Sequence, residues 1–273
     1  MKIAQSVLKY VVVIFIALLS LFPFYVLLYL SLNTPTRGMY DPSILLPDFH
    51  FDNYVQAWKV SKLGLAIVNS LIITGGAIAL VVTLSSSAGY SIARFNNKFN
   101  TAVFHTLLIC LMIPAIIITV PLYSLMKSIG GINTHWAMIL LTATNALPFS
   151  VFLYTSFIKM LPREVEESAI IDGCTYFTAF WRVTFHFLRP VTAAVVILSG
   201  LGIWNNYGQA VFFLQNKALY TVPLAVGLFF QTYGAQWNLM AAAAVIGLAP
   251  AVIAFLIFQK YFIKGITAGA VKG

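Results

Sequence analysis

Charged side chains are scarce in this chain. Asp, Glu, Lys and Arg together make up 8% of its 273 residues, whereas soluble domains carry roughly 25% charged residues. Hydrophobic residues reach 60% and the mean hydropathy is +0.91. This composition excludes an ordinary soluble globular domain and indicates a protein that lies in lipid, so we treat residues 1–273 as a single membrane domain.

Acidic, cysteine and histidine residues are also few. The 16 basic residues against 7 acidic ones give a net charge of +9, but the basic residues occur singly between apolar runs, so nucleic-acid binding is not predicted. Cys110 and Cys174 lie far apart and the 4 histidines are dispersed, which predicts no disulfide framework, no metal site and no catalytic cluster. The GxxxxGK[ST] loop that binds the phosphates of ATP does not occur. We therefore expect neither enzymatic activity nor a cofactor in this chain.

Six long apolar stretches are present. They lie at about 10–32, 66–93, 102–126, 136–158, 187–204 and 239–261. Each is close to the ~20 residues that a helix needs to cross the hydrocarbon core with every backbone N–H and C=O paired inside the helix. The first is about twice as long as the apolar core of a signal peptide, and we interpret it as an uncleaved span. The sequence thus predicts an all-α integral membrane fold with six transmembrane helices.

Basic residues determine the predicted orientation. With the N-terminus in the cytoplasm, eleven of the 16 Lys and Arg residues lie on the cytoplasmic side, in agreement with the positive-inside tendency. Both termini are then cytoplasmic, and the outer loops are at about 33–65 and 205–238. In the second outer loop, residues 218–232 are apolar but short, and we expect a surface helix capped by Thr221 and opened by Pro223.

The four acidic residues of the predicted cytoplasmic side fall together at about 161–186, which we call the acidic loop. They are Glu164, Glu166, Glu167 and Asp172. The glutamates suit the positive end of a helix that begins near Pro162, and Gly173 tolerates the left-handed turn that ends a helix. Thr175 then caps a second helix. That helix carries an aromatic stripe formed by Phe177, Phe180, Trp181 and Phe185.

This helix–Gly–helix pattern has two explanations. Two short helices that meet at a glycine form a compact knob, with one acidic and one aromatic face, that fits a groove on a cytoplasmic partner. Alternatively, the aromatic residues lie in the lipid interface and the acids are only solvated. The spacing alone leaves both explanations open.

A family resemblance favours the knob. The sequence Glu166-Glu167-Ser168-Ala169-Ile170-Ile171-Asp172-Gly173, followed by Phe180-Trp181-Arg182-Val183 and Pro190, resembles the EAA motif of bacterial ABC importer permeases. The tail at 265–273 and the Trp237-Asn238 pair are similar to the smaller permease subunit of maltose-type uptake systems. The resemblance covers essentially the whole chain and implies the type I ABC importer permease fold.

The resemblance also implies roles and partners. Glu167, Ser168, Ala169, Asp172 and Gly173 would contact the ATPase, and Gly269, Lys272 and Gly273 in the tail would reach toward the same subunits. The implied partners are a second homologous permease, two ATP-binding subunits that hold ATP and Mg, an extracytoplasmic sugar-binding protein and membrane lipid. The implied location is the bacterial inner membrane, which the chain crosses several times.

Two positions depart from the family pattern. Ser168 stands where alanine is usual, and one extra hydroxyl should be tolerated on a short helix. Phe185-His186 stands where Leu-Pro is common, so the second helix is expected to continue toward the fifth span without a proline break. His186 itself is interpreted as a residue that reaches water, with a proton relay as the alternative.

Neutral polar residues mark a predicted substrate path. No charged residue lies well inside a predicted span, which argues against a proton- or ion-coupled carrier. The candidates for binding sugar hydroxyls or stacking on sugar rings are Thr142, Thr144, Asn145, Trp204, Asn205, Asn206, Tyr207 and Gln209. Such residues also bridge helices without any ligand.

The functional hypothesis is a permease subunit of a binding-protein-dependent ABC importer for a sugar, with an oligosaccharide as the expected cargo. The alternatives are a stand-alone carrier or channel for a small polar solute and a membrane-embedded enzyme. Intramembrane charges, an internal repeat or a His/Asp/Glu cluster would favour those alternatives, and the sequence contains none of them. Pro114, Pro121 and Pro148 are expected to bend their helices, either to open a cavity or as static packing features.

Overall fold

The computed structural model describes residues 2–34, 46–231 and 236–270, and every regular element in them is helical. The first six helices are α1 Lys2–Ser31, α2 Asp52–Val60, α3 Leu63–Arg94, α4 Lys98–Cys110, α5 Ala115–Ser128 and α6 His135–Met160. The next are α7 Glu164–Ile171, α8 Tyr176–Ala179, a π-helical turn Phe180–Thr184, α9 Phe185–Phe187 and α10 Arg189–Trp204. The last are α11 Ala210–Phe213, a 3-10 turn Lys217–Leu219, α12 Val222–Gln231 and α13 Trp237–Ala270. The predicted all-α fold is confirmed for this part of the chain.

Four helices of the described residues are long and apolar enough to cross a membrane. They contain Leu8–Ser31, Leu63–Arg94, His135–Met160 and Trp237–Ile257. A fifth crossing results if the bent pair Tyr176–Phe187 and Arg189–Trp204 is counted as one span. These segments match the first, second, fourth, sixth and fifth predicted spans, and the chain is a multi-pass membrane protein.

The third predicted span, 102–126, is not one helix. It is divided into α4 and α5 by non-helical residues at 111–114. Pro114 has an extended backbone with φ −62° and ψ 127°, it lacks an N–H, and it disfavours a helical conformation of the residue before it. The bend expected at Pro114 is therefore a full break. Pro121 and Pro148, in contrast, lie inside continuous helices.

The chain forms two compact units. The first comprises residues 1–64 and 224–249, and the second comprises residues 65–223 and 250–273. In the first unit, the buried Asn53 side chain donates to the carbonyl oxygens of Ser31 at 2.9 Å and Asn33 at 2.8 Å. Its Oδ1 accepts from Asn238 Nδ2 at 2.9 Å. One asparagine thus ties the ends of α1, α2 and α13 together.

Close helix contacts characterise the second unit. At Gly89 of α3 an added Cβ would lie 2.7 Å from Tyr154 Cβ of α6, so only glycine permits this approach. Between α6 and α10, Tyr154 OH donates to Thr192 Oγ1 at 2.9 Å, and the hydroxyls of Ser150 and Ser199 lie 3.3 Å apart. Small residues and interhelical hydroxyl bonds of this kind are typical of helices packed in membranes.

The short helix expected at 218–232 is present as α12. Its N-terminal cap differs from the prediction, because Thr221 Oγ1 is buried without a hydrogen-bond partner in the described residues. Instead Ser70 Oγ on α3 accepts from the N–H of Val222 at 2.9 Å. Asn69 Nδ2 also donates to the carbonyl oxygens of Ala218 and Tyr220, at 2.9 and 3.1 Å. The start of α12 is thus held by α3, and the predicted Thr221 cap is wrong.

Candidate functional site

The first half of the acidic loop is α7, which ends at a glycine turn. Gly173 has φ +90°, a conformation that L-residues with a side chain rarely adopt. Its N–H donates to Ile170 O at 3.0 Å, and the N–H of Cys174 donates to Ala169 O at 3.0 Å. This pair of bonds is the Schellman motif, which satisfies carbonyl groups at a helix C-terminus. The predicted glycine stop is confirmed.

The second half is a continuous helical segment from Tyr176 to Phe187. Thr175 Oγ1 accepts from the N–H of Thr178 at 3.3 Å, which confirms the predicted cap. The Trp181 ring lies 4.9 Å from the Phe180 ring and 5.1 Å from the Phe185 ring, centroid to centroid. The aromatic stripe is therefore a real cluster, and the α8 start of the segment is fixed by its own hydroxyl cap.

The aromatic cluster has an inner and an outer end. Phe180 is 3% exposed and its ring lies 4.7 Å from that of Tyr90 on α3. Phe177 at the other end is 72% exposed. The stripe thus anchors the second half of the acidic loop on α3 and leaves one ring at the surface.

The segment turns by 77° into α10. The turn lies at the buried residue Leu188, which has φ −81° and ψ 0°. Pro190 follows in the first turn of α10 and has no N–H to donate to His186 O, so the preceding helix cannot continue. The second helix of the loop was expected to continue toward the fifth span. This expectation is wrong, because Pro190 ends the helix even though position 186 is not a proline. His186 is exposed at this bend.

An internal brace, which was not predicted from the sequence, holds the acidic loop. Glu166 is 6% exposed, and its Oε1 accepts from both Nε and Nη2 of Arg94 at 2.8 Å. Tyr90 OH donates to the other carboxylate oxygen at 3.3 Å. Arg94 Nη2 also donates to Leu161 O, just beyond the end of α6, at 3.1 Å. We call Arg94, Glu166 and Tyr90 the brace.

The brace joins α3, α6 and α7. Arg94 is the last residue of α3, where a positive charge is favoured by the helix dipole. Both side chains of the ion pair are 8% exposed, and removal of one partner from a buried pair costs about 3–5 kcal/mol because the other charge is left uncompensated. Such a contact keeps the three helix ends in one fixed arrangement.

The predicted contact residues of the acidic loop divide into two groups. The first group is exposed on this chain and therefore accessible to a partner protein, and it consists of Glu167, Ser168, Asp172 and Gly173. Ala169 is 7% exposed and faces inward. Ser168 Oγ donates to Val165 O at 3.1 Å, so the extra hydroxyl is satisfied within α7.

The predicted tail contacts are only partly described. Gly269 lies in α13, and Lys272 and Gly273 lie outside the described residues.

Four of the predicted path residues line one cavity of about 750 Å³, and they are Thr144, Asn145, Asn206 and Gln209. Asn145 on α6 and Asn206 after α10 line it together with Gln209. The Nδ2 groups of the two asparagines donate to Gln209 Oε1, at 2.8 Å from Asn145 and 3.0 Å from Asn206. Asn206 Oδ1 in turn accepts from the backbone N–H of Gln209 at 3.0 Å. The structure thus brings three predicted amides into one cluster.

The other predicted path residues lie elsewhere. Trp204 is 7% exposed and lines a separate apolar cavity of about 160 Å³ beside Leu71, Ile78 and Phe255. Asn205 and Tyr207 are exposed and are not part of the wall of the larger cavity. The aromatic residues are therefore not placed to stack on a ligand held by the amide cluster.

Residues 82–268, which include the loop and the amide cluster, match the family described as the binding-protein-dependent transport system inner membrane component. The chain belongs to this family. The resemblance found in the acidic loop is thereby confirmed, and it extends over most of the chain.

Characterised relatives are sugar import permeases. The melibiose/raffinose/stachyose import permease protein MelC of Bacillus subtilis is 40% identical over 253 residues, which cover 92% of this chain and 91% of MelC. The arabinooligosaccharides transport system permease protein AraQ of Halalkalibacterium halodurans is 33% identical over 267 residues, covering 95% and 94% of the two chains. The chain therefore corresponds to these relatives over nearly their full length.

Two solved structures have a similar fold. A chain from the crystal structure of a bacterial ABC transporter involved in the import of the acidic polysaccharide alginate superposes with a TM-score of 0.80 at 19% identity, covering 94% of this chain and 96% of that one. A second structure, of the alginate transporter with a periplasmic protein bound to an alginate pentasaccharide, gives a TM-score of 0.64 at 16% identity, covering 93% and 94%. These similarities show the ABC importer permease fold.

Proposed function

We propose that this chain is one permease subunit of a binding-protein-dependent ABC importer for an oligosaccharide, and that its acidic loop transmits the movement of a separate ATPase. The observation that carries the proposal is the acidic loop itself. Glu167 on α7 and Asp172 at its C-terminal cap are exposed, and the brace holds this helix from inside. The import of sugars by MelC and AraQ supports the choice of cargo.

The proposed assembly contains several chains. A second homologous permease completes the pathway, two ATP-binding subunits hold ATP and Mg, and an extracytoplasmic protein delivers the sugar. The family description, which names a binding-protein-dependent system, supports the last of these. The proposed location is the bacterial inner membrane.

The proposed topology has six crossings and cytoplasmic termini. Helices α4 and α5 contain 13 and 14 residues, so each is about 20 Å long and shorter than the ~30 Å hydrocarbon core. We infer that the two share the third crossing, with the break at 111–114 inside it. The bent pair ending in α10 then forms the fifth crossing, and the basic residues keep their cytoplasmic bias.

A continuous structural connection leads from the acidic loop to the cavity. The brace joins Glu166 on α7 to the carbonyl of Leu161 at the end of α6 through Arg94. Asn145 lies on the same α6, about 24 Å away at a rise of about 1.5 Å per residue. Because a helix moves as a stiff element, displacement of the loop by the ATPase displaces the amide cluster as well. This connection is how ATP-driven closure would change the cavity.

Uptake by the assembled importer tests the proposal. Glu167→Lys and Gly173→Asp should abolish ATP-driven sugar uptake while the protein stays in the membrane, since the first reverses an exposed charge and the second places a side chain at φ +90°. Glu164→Lys, at another exposed glutamate in the first turn of α7, is the matched control.

Normal uptake by both loop variants would overturn the coupling role. Co-purification with an ATPase and a second permease, after expression with the neighbouring genes, is the second requirement. Sugar transport by this chain alone in lipid vesicles would favour the stand-alone carrier instead.

A further inference from the structure

The side chain of Gln209 has an unused hydrogen-bond donor. Its Oε1 accepts from Asn145 and Asn206, but its Nε2 is buried and has no partner in the described residues. The whole residue is 7% exposed. A primary amide carries two N–H donors, and a buried donor without a partner costs about 1–3 kcal/mol. The fold therefore keeps an unsatisfied amide in the wall of the 750 Å³ cavity.

The neighbouring Asn145 supplies an unused hydrogen-bond acceptor. Its Nδ2 donates to Gln209, whereas its Oδ1 receives no hydrogen bond from the described part of the chain, and the residue is exposed to the cavity. A hydroxyl group donates one hydrogen bond and accepts others. A donor on Gln209 and an acceptor on Asn145 are thus complementary to a ligand hydroxyl.

The remaining wall of the cavity is uncharged. Its other lining residues include Leu107, Ile116 and Pro148, and none of the lining residues is Asp, Glu, Lys, Arg or His. An ionised carboxylate has no cation to pair with here, and moving one from water into such surroundings is strongly unfavourable. The volume is within the ~300–1,000 Å³ of typical ligand sites. The cavity therefore suits a neutral ligand with hydroxyl groups.

We propose that Gln209, oriented by Asn145 and Asn206, is a hydroxyl-binding subsite for an uncharged saccharide on its way through this permease. Gln209 Nε2 donates to an oxygen of the sugar, and Asn145 Oδ1 accepts from a sugar hydroxyl. The last torsion of Gln209 has a broad energy minimum, so Nε2 can turn toward the ligand. The inference rests on the proposed function and adds a subsite and a charge preference to it.

The experiment uses the complete importer in vesicles, with radiolabelled melibiose, raffinose and stachyose as probes. Gln209→Leu removes the donor, and Gln209→Glu removes it while keeping oxygens that accept from the two asparagines. Both variants should raise the sugar concentration for half-maximal uptake about tenfold, the effect of one lost hydrogen bond. Asn205→Ala, at an exposed neighbour outside the cavity wall, should behave as wild type.

Deoxy analogues of the transported sugar add a readout that a structural role of Gln209 would not change. At least one analogue that lacks a single hydroxyl should compete poorly with the parent sugar in the wild type but equally well in Gln209→Leu, because the partner of that hydroxyl is already absent. Wild-type uptake by both Gln209 variants, or the same analogue ranking in all proteins, would overturn the subsite. Failure of the wild-type assembly to take up any sugar would instead overturn the proposed function.

Discussion

The acidic loop and the amide cluster are both polar sites inside the second compact unit, and they are held by different kinds of bond. The loop is fixed by the ion pair of Arg94 and Glu166 at the end of α3. The cluster of Gln209 with Asn206 and with Asn145, near the middle of α6, uses only neutral amides. Charges are costly at membrane depth and tolerable near a helix end. The strong contact thus holds the proposed coupling loop, and the weaker contacts hold the proposed sugar subsite.

Removing one member of the ion pair is expected to have the largest effect. Arg94→Met leaves the Glu166 carboxylate buried without its partner, which costs about 3–5 kcal/mol. We expect the purified complex to have a clearly lower melting temperature in detergent and to lose sugar uptake in vesicles. Glu164→Gln, which changes an exposed carboxylate in the first turn of α7, is the control and should leave the melting temperature unchanged.

The double variant Arg94→Met with Glu166→Leu separates stability from transmission. Replacement of a buried ion pair by apolar residues of similar volume is often neutral for stability. The melting temperature should therefore recover, while ATP hydrolysis proceeds with little uptake, so that more ATP is used per sugar. Full recovery of uptake would show that the ion pair only fills space between the loop and α3.

A smaller effect is expected at the contact between α3 and α6. Gly89→Val places a side chain where a Cβ already lies 2.7 Å from Tyr154 Cβ, and overpacking of this kind costs about 1–3 kcal/mol. Gly75→Val on the same helix is the matched control, because nothing lies within 4 Å of its Cβ position. Thermal unfolding of the two variants measures the difference, and equal melting temperatures would show that the helices separate without cost.

The smallest effect is expected at Ser168. Its side chain is exposed and its hydroxyl is bonded within α7, so Ser168→Ala, which restores the usual family residue, should change stability by less than about 0.5 kcal/mol. Uptake should also stay at the wild-type rate. A clear gain or loss of uptake would mean that this hydroxyl contacts the partner.

Local features of the acidic loop were predictable from the sequence, and the brace was not. The Gly173 stop and the Thr175 cap each depend on residues within one helical turn, so both can be predicted from neighbouring positions in the sequence. Glu166 and Arg94 are 72 residues apart, and their contact depends on how α3 meets α7. One signal was available, since Glu166 shares a helix face with Ala169 and Ile170 and is therefore on the apolar side of α7.

The membrane spans likewise include features that were predictable from the sequence and features that were not. Hydropathy counts apolar residues, so it placed α1, α3, α6 and α13 but did not register the break at 111–114. The bend at Leu188 was not predicted, although Pro190, which ends the preceding helix, is visible in the sequence. In the cavity, Asn145 and Gln209 lie 64 residues apart, and only the packing of α6 against α10 brings them together.

Site-specific photo-crosslinking in the assembled complex tests the central claim most directly. A photoreactive amino acid at position 167, on the exposed side of the acidic loop, should form an adduct with the ATP-binding subunit. The same residue at exposed position 217, in the predicted outer loop, should not. If position 167 labels only lipid, the acidic loop lies on the membrane surface and the coupling account is wrong.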